Sequence, residues 1–445
     1  MNDRKDLNPP RGPRHREQTL LMLSGFVGLA ATLFYACGSD SSNDSTGSGG
    51  GSAADSGAPS NTDGSSSAAE GGAASCTTSS GTVANTASVV AAANTLNTLL
   101  TSSQQTTIQL AGTLANSEQW SNLPTNFIPR NGVMIGDMST DAQAAAITLV
   151  STAAGTTGTT LFSEIRAADE WLVTDGRADS NGYGEGRYYV AFVGTPSTTS
   201  PWMLQIAGHH LAYNYTYNSK CTSATPLFDG VEPTTWTDSA GTSHAPLESQ
   251  RAAAVAVIAA ISSNSDSLLS GTYTDVVNGP TNSNGLGDTR YPSGLSYPTG
   301  TTGRGVLVGS LTTDQQALVK TAIEAWVKNV ADPISTALLT DYESSDALAS
   351  TYVAYSGATD LTTQNSYFRI DGPRVWIEYT IQGGIVYQSR VHYHTIWRDK
   401  VADYGAEYAD SDAGSGQTTG TEGGMMGMMP FGDGGPGGMP PGFDQ

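Results

Sequence analysis

From Thr351 to Trp397, strand-like segments follow one another with no helix-patterned stretch between them. Thr351–Tyr355, Tyr367–Asp371, Arg374–Ile381 and Ile385–Trp397 are rich in aromatic and β-branched residues. The Gly383-Gly384 pair reads as the turn of a hairpin joining the last two. Upstream the pattern alternates. Residues 86–116, Thr140–Thr152, Leu161–Leu172, Pro246–Ile261, Leu311–Val330 and a shorter stretch near Ile334–Ala349 carry helical spacing. Arg187–Gly194 reads as a strand, and Trp202–Asn218 as one long or broken strand. Strands grouped at the end, with helices kept apart from them, specify an α+β domain: a mixed or antiparallel sheet with flanking helices.

That domain occupies only part of the 445 residues. Residues 38–76 are almost entirely Gly, Ser, Ala, Asp and Thr, with no aromatic side chain to bury, and form a flexible low-complexity tether. Residues 411–445 form a Gly-, Met- and Pro-rich tail expected to be disordered. Between them, 77–410 is long enough for a single large domain. At the other end, Arg11, Arg14 and Arg16 precede the apolar run Leu20–Ala36, and Cys37 follows it. A basic start, an apolar core and a small residue before a break describe an export signal. A cysteine just after the break, followed by a polar tether, is similar to a bacterial lipoprotein, with Cys37 the lipidated residue. The alternative is an uncleaved signal anchor, held by its arginines. Either way the expectation is an extracytoplasmic domain attached to a membrane, or a secreted one. Cys76 and Cys221 are then left to pair in an oxidising compartment. The formal net charge of −21 and the absence of a basic stripe exclude nucleic acid as a partner.

Histidine is scarce, at six in the chain, yet four fall in two short clusters: "GHHLAYNYT" from Gly208 and "VHYHT" from Val391. Strand side chains alternate between faces. In the second cluster His392 and His394 therefore project side by side from one face, with Arg390, Ile396 and Arg398. In the first, large apolar residues fall on even positions up to Ile206 and on odd positions from Leu211. That slip suggests a β-bulge at Gly208-His209, with His209 and His210 on opposite faces and His210 sharing its face with Asn214. Two imidazoles from His392 and His394 with a third from His210 would make a three-histidine site with one position left for water. That is a catalytic-type zinc arrangement, with copper or iron as alternatives. Convergence of the nitrogens to within about 3–4 Å of one point is the geometric test. Glu378 is the nearest carboxylate on the partner strand, a candidate ligand or general base. Whether it faces the histidines depends on the turn length.

Two functional classes follow. In the first, the protein is a metal-dependent hydrolase, with Glu378 as base and Arg398 holding an anionic group. In the second, it is a non-catalytic surface lipoprotein whose pocket, lined by Trp202, Tyr213, Arg374 and the histidines, binds a small anionic or sugar-like molecule. Neither a GxSxG elbow, a Walker A loop nor a GxGxxG turn is present in the domain.

The segments carrying the histidines also carry a resemblance. "PWMLQIAGHHLAYNYT" (201–216), "YFRIDGPRVWIEYT" (367–380) and "VHYHTIWRDKVADYG" (391–405), with "RYYVAFVGTPS" (187–197) and "TPLFDGVEP" (225–233), resemble the hallmarks of the family catalogued as domain of unknown function 3500. The resemblance extends over nearly all of 80–406. It implies that His209, His210, Glu378, His392, His394, Arg398 and Asp399 occupy motif positions and belong to a shared site. It implies no activity.

Overall fold

The structure, a computed structural model, describes residues 84–276 and 297–406. The export segment, Cys37, the tether and the tail lie outside the described residues. So does Cys76; Cys221 is disulfide-bonded. Eight α-helices are described: α1 (Thr86–Leu99), α2 (Ser102–Ile108), α3 (Leu114–Ser117), α4 (Thr140–Thr174), α5 (Glu248–Ile261), α6 (Thr313–Val327), α7 (Asp332–Tyr342) and α8 (Ser345–Ala349). Several start where a hydroxyl side chain satisfies a free backbone N–H: Thr101 and Thr312 form capping boxes with Gln104 and Gln315. The two helices expected over 140–172 are the two arms of α4, which meet at a kink. Its backbone leaves helical geometry only at Gly155, where φ is 67°.

The strands are β1 (Gln109–Leu110), β2 (Val133–Met134), β3 (Tyr189–Val193), β4 (Trp202–Gly208), β5 (Leu211–Tyr217), β6 (Leu227–Val231), β7 (Trp236–Thr237), β8 (Ser243–His244), β9 (Val306–Leu307), β10 (Tyr352–Ser356), β11 (Tyr367–Asp371), β12 (Val375–Gly383) and β13 (Val391–Asp399). Eleven of them form one sheet in the order β1-β3-β4-β5-β6-β13-β12-β11-β10-β9, with β2 on β3; β7 and β8 pair separately. Every pair in the large sheet is antiparallel except β1 with β3. The α+β expectation holds. The sheet is two meanders, β3 to β6 and β9 to β13, joined edge to edge where β6 pairs with β13.

Two sequence expectations are corrected. Trp202–Asn218 is not one bulged strand but a tight hairpin: Gly208 pairs with Leu211, and His209-His210 are the two turn residues. Paired residues share a face, and Trp202↔Tyr217, Leu204↔Tyr215 and Ile206↔Tyr213 are such pairs. The parity of the apolar residues switches because the chain reverses, not because it bulges. Likewise, Gly383-Gly384 is not a two-residue turn. Gly383 pairs with Val391, and residues 384–390 form the loop.

Both faces of the sheet are buried. One packs its apolar residues, including Ile206, Tyr213, Ile377 and Trp397, against α1 and α4 through α7 in the main core. The other face is polar toward its middle and is covered mainly by loops, with the short α3 packing Leu114 against Met203. There Trp120 and Val276 close over Ala207, Ala212, Phe228 and Ile396.

Candidate metal centre

The histidines lie on this loop-covered face, beside the seam between the meanders. His392 and His394 stand two residues apart on β13, opposite Gln382 and Thr380 of β12, and His394 is also opposite Gly230 of β6. His210 reaches them from the β4–β5 turn. The three buried imidazoles each offer a nitrogen, and those nitrogens lie within 4.8 Å of one another. The centre of an equilateral triangle of that side is about 2.8 Å from each corner, which satisfies the convergence test. A zinc ion with metal–nitrogen distances of about 2.0–2.1 Å needs only a modest inward shift of the rings.

The turn that delivers His210 is strained and firmly held. His210 has φ 60°, the left-handed region, which a residue with a Cβ rarely adopts. Each of its backbone partners comes from a different segment. The His210 N–H donates to the Asn122 carbonyl (3.0 Å) and its carbonyl accepts from the Gly230 N–H (2.7 Å). The His209 carbonyl accepts from the Tyr188 hydroxyl (3.0 Å), and that of Gly208 from Arg130 (3.1 Å). Strain of this kind persists when the surroundings over-determine the backbone, and it concentrates at functional sites. Gly230 completes the fit. A Cβ there would come within 2.9 Å of the His210 ring and 3.0 Å of the His394 ring.

Hydrogen bonding leaves ligand lone pairs bare. Nδ1 of His394 faces Asp275 at 2.9 Å, so the ring hydrogen goes to the carboxylate and Nε2 is left buried without a partner. His392 hydrogen-bonds the Gly383 backbone, and its Nδ1 is buried and partnerless. Burial holds His210 well below the ordinary imidazole range, and the neighbouring histidines add to this. Burial also pushes His392 down to about 2, again helped by His394. For His210 and His392 this favours neutral imidazole, the form that binds metal. A carboxylate behind a ligating histidine is the usual device for fixing its tautomer.

His209 belongs to the cluster differently. It stacks on His210 with ring centres 3.8 Å apart, so the two do not face opposite ways. Its Nδ1 lies 2.6 Å from Asp169 Oδ1 on α4. Burial raises the Asp169 carboxyl above its ordinary range, an effect that His209 opposes. With the three converging histidines and Asn122, His209 lines a cavity of about 310 Å³.

The other residues singled out from sequence lie elsewhere. Glu378 does share the face of His392 and His394, but it pairs with Ile396, about 7 Å farther along the strand. Its oxygens accept from Tyr367 (2.7 Å) and Trp376 (2.8 Å), and it does not line the cavity. Arg398 is buried against Asp403. Arg374 is held between Asp341 and Asp399, and Asp399 also accepts from Tyr342. Asn214 bonds Gln205 and the Pro226 carbonyl. Trp202 and Tyr213 face the helices in the main core. Three residues that the sequence reading passed over contribute: Asp169, Asp275 and Asn122. Asp169 left a trace, since it falls on the apolar stripe of α4 with Ile165 and Leu172. Asp275 and Asn122, in irregular segments, left none.

Fold and centre together define an α+β domain with a buried three-histidine cluster at the floor of a cavity. The chain belongs to the family described as protein of unknown function (DUF3500), which it matches over residues 82–406. No curated protein and no solved structure matches it.

Proposed function

We propose that the protein is a metal-dependent hydrolase working at His210, His392 and His394. The observation that carries this reading is the convergence of one ring nitrogen from each of His210, His392 and His394, in a cluster where His392 and His394 each keep a buried, partnerless nitrogen. Three histidine ligands leave one position open, as catalytic zinc sites do, and zinc is the first candidate, ahead of copper or iron. When bound, such an ion acidifies a water in the open position. The protein's own residues would do the rest. Asp275 orients His394, and the cavity limits bulk water. His209, backed by Asp169, stands beside the centre in the base's place, the role expected from sequence for Glu378. A binder of anions is less favoured because Arg374 and Arg398 are engaged with carboxylates away from the cavity. The basic and apolar N-terminal pattern ending at Cys37 supports an extracytoplasmic, membrane-attached setting, with a small molecule as the partner.

The test is elemental analysis by plasma mass spectrometry of protein purified without a His tag, beside the His392→Ala/His394→Ala variant. About one equivalent of a transition metal in the wild type, lost in the variant, supports the reading. No bound metal after zinc, copper and iron have been offered overturns it.

A further inference from the structure

The cavity above the histidines has a composition that selects its occupant. Among the described residues, no lysine or arginine lines it. Its one carboxylate, Glu232, is already committed: its oxygens accept the backbone N–H groups of Ile385 (3.3 Å), Val386 (2.9 Å) and Tyr387 (2.7 Å). Without an ion in the histidine centre, neither an anion nor an organic cation would find a free counter-charge among these side chains, and burying an unpaired charge is costly. Leu123, Pro124, Phe127 and Ile385 supply the apolar part of the lining, beside Tyr183 and Gln382. Phe127 is 67% exposed and Ile385 68%, the two most exposed large apolar side chains among the described residues. They come from separate loops, yet both border this one opening. Exposed apolar side chains gathered at one place mark a binding surface.

The floor adds one polar demand. Asn122 is buried, and its Oδ1 has no partner. Its Nδ2 stands 3.5 Å from His394 Nδ1, whose hydrogen is already given to Asp275, so that contact satisfies neither group. The Asn122 amide is thus an acceptor and donor pair without a protein partner, beside the bare imidazole nitrogens. At about 310 Å³ the cavity sits at the small end of small-molecule sites.

We infer that the cavity takes a small uncharged molecule of the carboxamide class. Its apolar body lies between Phe127 and Ile385, and its neutral head meets Asn122 and the histidine centre. This deepens the hydrolase reading by naming its substrate class and rests on it for the chemistry, but the selectivity for neutral ligands stands without a metal.

The experiment follows ¹⁹F line broadening of 4-fluorobenzamide and 4-fluorobenzoate with the whole protein, metal-free and zinc-loaded. In metal-free protein the amide is expected to bind at least tenfold more tightly than the benzoate. The Phe127→Ser/Ile385→Ser variant, which alters only exposed side chains, should bind the amide about tenfold more weakly with its metal content unchanged. Benzoate binding as tightly as the amide without metal, amide affinity untouched by the double variant, or no binding of the amide would each overturn the inference. A protein that takes up no zinc yet keeps the preference for the amide would sustain this inference and remove the hydrolytic one.

Discussion

Each imidazole in the centre has one hydrogen to give in its neutral form, and its neighbour decides which nitrogen gives it. Asp275 takes the hydrogen of His394 and so turns the Nε2 lone pair inward. Asp275→Ala should therefore fold normally but hold zinc about 10- to 100-fold more weakly, read by competition with a chelator. An unchanged affinity would mean that Asp275 does not set the tautomer. A second buried carboxyl makes a pH prediction away from the centre. Asp229 accepts from Tyr213 (2.8 Å), yet burial raises it to about 7. A raised carboxyl means that the folded chain keeps a proton that the unfolded chain has already released. The stabilising contribution is whole below about pH 3.8 and is lost as the pH rises to about 7. Asp229→Asn removes that loss. Its stability advantage over wild type should grow across this window by up to about 1.4 kcal/mol per pH unit and then level off. Urea midpoints at pH 5 and pH 8 would show it; an advantage that does not change with pH refutes it. Among single residues, His210, His392 and His394 were legible because scarce histidines on an alternating strand carry information in their spacing. Asp275 was not, because it is 119 residues from His394 in the chain.

The hairpin shows what alternation leaves open. A bulge and a chain reversal both exchange odd and even positions, so the apolar pattern through Gly208-His209 fits either. What settles it is pairing, and register is a long-range property. Glu378 raises the same problem. Its position relative to His392 depends on the length of the connection, and a loop of residues 384–390 is not foreshadowed by a Gly-Gly pair. The tight β4–β5 turn also explains why His210 sits where it does. Only a two-residue turn pinned by Asn122, Gly230 and Tyr188 would hold a histidine at φ 60° facing β13. The cost of that backbone can be isolated by comparing two substitutions that both remove the imidazole. Without metal, His210→Gly should be more stable than His210→Ala by about 1 kcal/mol, the reverse of the usual order, because glycine alone tolerates the left-handed region freely. Equal stabilities in guanidinium melts would mean that the turn relaxes once the imidazole is gone.

At the scale of the whole molecule, the sheet is two meanders, and the centre lies where they meet. The α+β class and most strands could be read from local pattern, since each meander is built from neighbours in sequence. The β6–β13 junction could not: it brings together residues more than 160 apart, and β6, in "TPLFDGVEP", is short and contains both Asp229 and Gly230. His210 belongs to the first meander and His392 and His394 to the second, so a bound ion would tie the two halves together across that junction. A ligand that binds only the folded chain stabilises it by mass action, by about 2.7 kcal/mol at a hundredfold excess over its Kd. Zinc should then raise the thermal midpoint by several degrees, and a chelator should reverse the gain. His392→Ala/His394→Ala should melt at one temperature with or without zinc. A wild type equally indifferent to zinc would show that β6–β13 pairing and core packing hold the two meanders without zinc, and that the three histidines do not bind it.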